Sequence, residues 1–302
     1  MVRANISPLA FYDSIDKQNE KKDYAFGEKY PLFTPDKQVL PFQFIRDSQG
    51  SESISSVSLV DKITGTSTDI TSEMVSTGLT VELYTSLGFD IIKYVGREDM
   101  AITTPQGQYY LVIDDGFDMY YSEVFIIVND VSQYLKLEYH DTENLAYNTG
   151  AISFTNNFRF NIYLPTQLSA PEYPFEEEVI ERDGYSFPEK QVSEKKYKFN
   201  FLAAEYLLDA MRIIRMMDYI TIVNKGDTYN AETFLISPSW EEGHYLASVD
   251  AEFECDTVIK KIGKTFSASP EDPTVVAENV LLTYSGEILT TKDNNSLLYI
   301  EP

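Results

Sequence analysis

A mainly β fold is what this sequence predicts, and three observations carry the prediction. Tyr and Phe number 22 and 18 against a single Trp, and together with Val, Ile and Thr they dominate the periodic stretches. Short apolar runs recur between turn signals in the first half, at the spacing of a β-sandwich. Helical periodicity occurs once, over 203–217, amid strand signals. The expected architecture is an N-terminal β-sandwich followed by a β-barrel with one packed α-helix. At 302 residues the chain is long for one hydrophobic core, so two domains plus tails are expected. The divisions fall at an arm over 1–40, the sandwich over 41–147, the barrel over 148–266, and a linker and tail over 267–302.

The arm mixes charge with aromatics and reaches Pro31, Pro35 and Pro41, a composition from which a core is hard to build. Its aromatics Phe11, Tyr12, Tyr24, Phe26, Tyr30 and Phe33 are candidate assembly contacts, lying against a neighbouring subunit; docking on their own domain is the competing reading. In the sandwich, strands are expected at 42–45, 54–60, 79–84, 90–95, 109–113, 120–128 and 134–139. Turns such as Asp61-Lys62-Ile63-Thr64-Gly65-Thr66 and Asp114-Asp115-Gly116 place glycine where a tight reversal needs positive φ. In Tyr134-Leu135-Lys136-Leu137-Glu138-Tyr139 apolar and polar residues alternate, as a strand with one wet face requires.

The barrel begins with aromatic-rich strands around Phe154 to Leu164. The acidic, prolyl stretch from Pro171 to Asp183, with Glu176-Glu177-Glu178, reads as a solvated loop. The 203–217 helix follows, with Leu202, Tyr206, Ala210, Ile213 and Met217 at helical spacing for packing on a sheet. Strands return at 219–223, 229–236 and 245–259, with a turn at Asn224-Lys225-Gly226-Asp227. Val249, Ala251, Phe253 and Cys255 share one face of the last strand. Beyond a linker at 267–273, the apolar runs at 280–284 and 297–300 suit strand addition to a neighbour.

Charge narrows the partners. The formal net charge is −24, so the average surface repels phosphate backbones and anionic lipid, and no stable nucleic-acid binding is expected. The Met1 end lacks a basic-then-apolar leader and no run is long enough to span a bilayer, so no membrane insertion is expected. One cysteine, Cys255, permits neither an internal disulfide nor a cysteine metal cluster within the chain.

Catalytic schemes that need histidine can be tested on His140 and His244 alone. His140 ends an amphipathic strand beside Asp141, yet no G-x-S-x-G elbow exists, and a turn histidine is the preferred reading. His244 follows Trp240-Glu241-Glu242-Gly243 and reads as a hairpin-loop residue. Cys255 alternates with Phe253 and Ala251 and reads as core. The cluster Asp114-Asp115-Gly116-Phe117-Asp118 departs from the calcium-loop pattern and fits a hairpin turn. Walker, dinucleotide and H-E-x-x-H patterns do not occur, so no cofactor and no catalytic or metal-binding residue is expected. With 48 acids, a pair of carboxylates suited to glycoside hydrolysis carries no information.

Several stretches carry a resemblance: Leu9-Ala10-Phe11-Tyr12-Asp13, Tyr109-Tyr110-Leu111-Val112-Ile113-Asp114-Asp115-Gly116, Tyr121-Ser122-Glu123-Val124-Phe125 and Tyr134-Leu135-Lys136-Leu137-Glu138. Arg182-Asp183-Gly184-Tyr185-Ser186-Phe187-Pro188-Glu189-Lys190-Gln191 above all, with the 203–217 helix and Leu246-Ala247-Ser248-Val249-Asp250-Ala251-Glu252-Phe253-Glu254, belong with them. Over about residues 9–263 the chain resembles tail and baseplate structural proteins of tailed phages and prophages of Bacteroidales bacteria. A barrel crossed by one helix is likewise similar to the ring-forming domain of tail-tube and distal-tail proteins. The resemblance implies a virion tail protein made in the bacterial host cytoplasm. It would join with itself in a symmetric ring, a hexamer or a multiple of one, and hold other tail or baseplate proteins or fibres. A receptor- or carbohydrate-binding module at the tail tip is the second reading, and a tail-associated glycosidase the third.

Overall fold

The computed structural model describes residues 7–20, 32–96, 105–147, 150–182, 185–241 and 246–261. The chain divides into two units, one built from Met1–Glu172 and Lys196–Asp256, the other from Tyr173–Lys195 and Thr257–Pro302.

Strand β1 (Phe11–Tyr12), helix α1 (Ile15–Glu20) and β2 (Leu32–Pro35) come first, then β3 (Phe42–Asp47), β4 (Ser56–Asp61) and β5 (Ser67–Asp69). Helix α2 (Thr71–Ser76) leads to β6 (Leu79–Tyr84), β7 (Phe89–Tyr94), β8 (Gly107–Asp114), β9 (Met119–Ser122), β10 (Phe125–Val128) and β11 (Leu135–His140). Next are β12 (Leu145–Tyr147), β13 (Gly150–Ile152), β14 (Phe160–Leu164), β15 (Phe175–Arg182) and the long β16 (Tyr185–Ala204). Helix α3 (Glu205–Met211) precedes β17 (Tyr219–Asn224), β18 (Asp227–Asn230), β19 (Thr233–Ser239) and β20 (Leu246–Lys261). The fold is mainly β, with several sheets and a half-barrel.

The largest sheet runs β1-β9-β8-β10-β2-β14-β11-β17-β18, with β4 on the free side of β8 and β5 beyond it. Alternation sets its faces: Leu135, Leu137 and Tyr139 are buried while Lys136, Glu138 and His140 are half-exposed. Two-residue turns match the strand twist, as at Lys225-Gly226 between β17 and β18, where both φ values are positive, 53° and 91°.

A second sheet, β3-β7-β6, is covered on both sides, which is why every residue of Phe89-Asp90-Ile91-Ile92-Lys93-Tyr94 is buried. Ile92 and Tyr94 join the main core; Ile45, Phe89 and Ile91 meet Tyr147 and Ala151 of the β12–β13 hairpin. That hairpin approaches so closely that a Cβ on Gly150 would stand 1.9 Å from Ile45 Cδ1.

The expected boundary between 147 and 148 is absent from this architecture. Strands β11, β14 and β17 continue the sheet that holds β8 and β10, and β2 is the joint, parallel to β10 and antiparallel to β14. One buried cluster accordingly runs from Leu9 through Ile113 and Phe160 to Phe253. The division falls instead ahead of β15, after Glu172, and then within β16, after Lys195, and within β20, after Asp256. The stretch expected as a loop over 171–183 contains β15, whose glutamates stay solvated because both faces of the hairpin are wet.

The helix is shorter than its 203–217 periodicity suggests, with α3 followed by a 3-10 turn at Ile214–Met216. Leu207, Ala210, Met211, Ile213, Ile214 and Met217 are buried, whereas Leu202, still in β16, is 43% exposed. Ile213→Asp is expected to cost at least about 3 kcal/mol by burying an unpaired carboxylate. Urea denaturation checks this, and an unchanged midpoint would mean that the buried face is misassigned.

Candidate interaction surface

The residues with catalytic potential occupy structural positions wherever they are described. His140 lies flat on Tyr219, ring centroids 4.7 Å apart, across the β11–β17 pair. Its partial burial and the Arg159 charge hold its pKa down against the opposing pull of Glu138, Asp141 and Asp218. His244 lies outside the described residues. Cys255 is 1% exposed within the main core. In the acidic cluster, Asp115 Oδ1 accepts the backbone N–H groups of Phe117 and Asp118 at 2.9 and 2.8 Å, and Asp114 accepts that of Gly116, which closes the β8–β9 turn.

Two ionic knots lie buried in the first unit, and sequence alone gave no sign of them. Arg46, fully buried, pairs with Asp115, donates to the Ser51 carbonyl at 2.6 Å and lies 3.7 Å from Asp90. Tyr120 donates to Asp115 Oδ2 at 3.0 Å, and burial with that carboxylate pushes the phenol's pKa up, so it remains a donor. Lys93 pairs with Glu82 and donates to Ser153 Oγ at 3.1 Å, beneath the segment that follows β13. Burial would raise Glu82, but the hydrogen bond from Lys93 and those from Ser153 and Thr155 hold it below its usual value. Each charge is met by a partner, the arrangement that a structural ion pair requires.

Three of the six candidate assembly contacts are described. Phe11 is fully buried, its ring 4.4 Å from Phe44 and 4.6 Å from Phe42. Tyr12 donates to the buried carboxylate of Glu123 at 2.9 Å, and Phe33 meets Tyr134 at 5.0 Å. These segments therefore pack within their own chain: β1 pairs with β9, and β2 sits inside the large sheet. The aromatic count gave no means of separating packing in cis from packing in trans. Tyr24, Phe26 and Tyr30 lie outside the described residues, as does the tail over 267–302.

The surface best suited to a partner is in the second unit. Phe175 is 61% exposed, Tyr173 67%, and Val179 and Ile180 also stand in solvent along β15. Strand β15 is an edge of the sheet β15-β16-β20-β19, and β19, with no charged residue, is the other edge. A register shift between Glu178 and Val179 adds twist to the hairpin. Exposed β-branched and aromatic residues on an edge strand form a template for another chain. The signal was present as Phe175, Val179 and Ile180, but the run Glu176-Glu177-Glu178 between them concealed it.

No helix among the described residues is long and apolar enough to cross a membrane. No protein-family model matches the chain, and no curated protein is similar enough in sequence to count as a relative.

Proposed function

We propose that the chain is a structural virion protein of a phage tail, part of a ring or baseplate, where it holds neighbouring tail proteins or fibres. The observation that carries the reading is β15 in the second unit, an edge strand that exposes Phe175, Val179 and Ile180, with Tyr173 exposed just ahead of it. In this reading β15 of one copy adds to the uncharged β19 edge of the next. Such a head-to-tail contact closes into a ring when the rotation per copy divides a full turn. The run Glu176-Glu177-Glu178 would discourage β15 from pairing with itself, which favours the head-to-tail arrangement over a two-fold one.

Light scattering and negative-stain microscopy of the full chain, with immunogold labelling of virions, test the proposal. Symmetric rings and label at the tail are expected. The double variant Phe175→Asp/Ile180→Asp is expected to abolish ring formation and leave the melting temperature within a few degrees, because both side chains are solvent-exposed. Label confined to the capsid, or rings that survive the double variant, would remove its basis.

A further inference from the structure

We propose that the open groove between the turn after β2 and the β17–β18 hairpin binds an acidic saccharide, a short glycan bearing a carboxylate. The groove has a volume of about 740 Å³ and lies wholly in the first unit, with Gln38, Gln133, Tyr134, Lys136 and Lys225 among its walls. That volume falls in the range of small-ligand sites.

Charge is the first argument. In a chain of net charge −24, no carboxylate lines this groove, although Asp36, Asp130 and Asp227 stand close by in sequence. Lys136 Nζ is 3.3 Å from Glu138 Oε2 on the same wet face of β11, so it is positioned while Lys225 stands exposed at the rim. One exposed ammonium, Lys225, with a second, Lys136, shared with Glu138, suits a single carboxylate and is too little charge to hold a nucleic-acid backbone.

Backbone conformation is the second argument. Among the described residues five non-glycine positions have positive φ, and three of them, Asn156, Asn157 and Asp256, are of the types that tolerate it. The other two are lysines, Lys37 at 59° and Lys225 at 53°, and both border this groove. Lys225 lines it, and Lys37 sits between the lining residues Pro35 and Gln38. The β17–β18 turn would be better served by Asn-Gly than by Lys-Gly, so the lysine sits there at a conformational cost.

Wall chemistry selects the ligand. The ring of Tyr134, fixed by its contact with Phe33, offers an apolar face to the C–H side of a sugar, and the amides of Gln38 and Gln133 can meet its hydroxyls. An extended peptide has no edge to join among the strands whose residues line the groove, because β11 is paired by β14 and β17, and β17 by β11 and β18; the free edge of the sheet, on β18, contributes no lining residue.

A glycan array carrying uronate- and sialate-bearing glycans beside their neutral parents, probed with the full chain, tests the idea. Preferential binding of acidic members is expected. Titration calorimetry with the best of them should then show at least a tenfold loss of affinity in Lys225→Asn and in Lys136→Gln. Lys225→Asn should melt at the same or a higher temperature, since asparagine suits the left-handed position; loss of binding without loss of stability is what a purely structural lysine would not give. Absence of any acidic preference, binding unchanged in both variants, or tighter binding of a polyglutamate peptide would overturn it. All arms use free protein, so their failure leaves the tail reading standing, and a failure of ring assembly leaves the groove standing.

Discussion

Asp115→Ala is expected to destabilise the first unit by about 3–5 kcal/mol, because it strands a buried guanidinium. Arg46 is fully buried, and once Asp115 is gone its only remaining counter-charge among the described residues is Asp90, at 3.7 Å, beside the neutral Ser51 carbonyl, so the close ion pair is not replaced. The same change removes the acceptor of Tyr120 and the oxygen that closes the β8–β9 turn. Chemical denaturation measures the loss, and the companion pair Arg46→Met/Asp115→Ala should cost much less than the sum of its single changes. Additive costs would show that the pair is not coupled. A pH dependence follows. Burial alone would raise Asp115, but the N–H groups of Asp118 and Phe117 and the Arg46 guanidinium outweigh it and hold the carboxyl below its usual value. A depressed native pKa contributes stability that is complete above the unfolded value, about 3.9, and is lost as pH falls through the native one. Wild-type stability should therefore drop below about pH 4, with a flatter profile in Asp115→Asn.

Removal of residues 1–38 is expected to prevent native folding rather than leave the remainder intact. Strand β2 pairs Leu32–Pro35 with Phe125–Val128 on one side and Phe33 with Tyr163 on the other, so its loss splits the large sheet into two. Leu9, Phe11 and Leu32 are each at most 2% exposed. Their burial contributes about 1.5–3 kcal/mol each, which together is comparable with a typical whole-domain margin of about 5–15 kcal/mol. Circular dichroism and amide-proton dispersion of the truncated chain check this. A cooperative melt at the full-length temperature would return the arm to the role of a peripheral appendage.

Much of the fold was legible where local pattern and burial agree. The expected strand at 79–84 coincides with β6, and those at 42–45, 109–113 and 134–139 fall within one or two residues of β3, β8 and β11. The 120–128 run is interrupted between β9 and β10, where the buried pair Glu123-Val124 puts one extra residue opposite β8, four from Tyr121 to Phe125 against three from Val112 to Tyr109; a continuous apolar run hides such a break. Helix α2 was invisible because six residues with one buried side chain, Met74, make too little periodicity. Long-range pairing was beyond the sequence. Nothing local tells β2 to lie between β10 and β14, nor Arg46 to find Asp115, since such partners are chosen by the closed fold and not by neighbours in the chain. The candidate surface suffered similarly, since three adjacent glutamates read as a loop until a partner strand is seen.

Strand β2 also imposes an order on how the molecule comes into being. It leaves the ribosome before either hydrogen-bonding partner, since β10 lies some ninety residues later and β14 about thirty-five beyond that. Until Phe160–Leu164 has been made, the segment from Leu32 carries apolar groups with one side unmatched. Loop closure over that span is slow compared with the hairpins β6–β7 or β17–β18, which join neighbours in sequence. Completion of the large sheet is therefore a late, concerted event, and it sets an interval during synthesis in which the nascent N-terminal segment depends on being kept apart from other copies of itself.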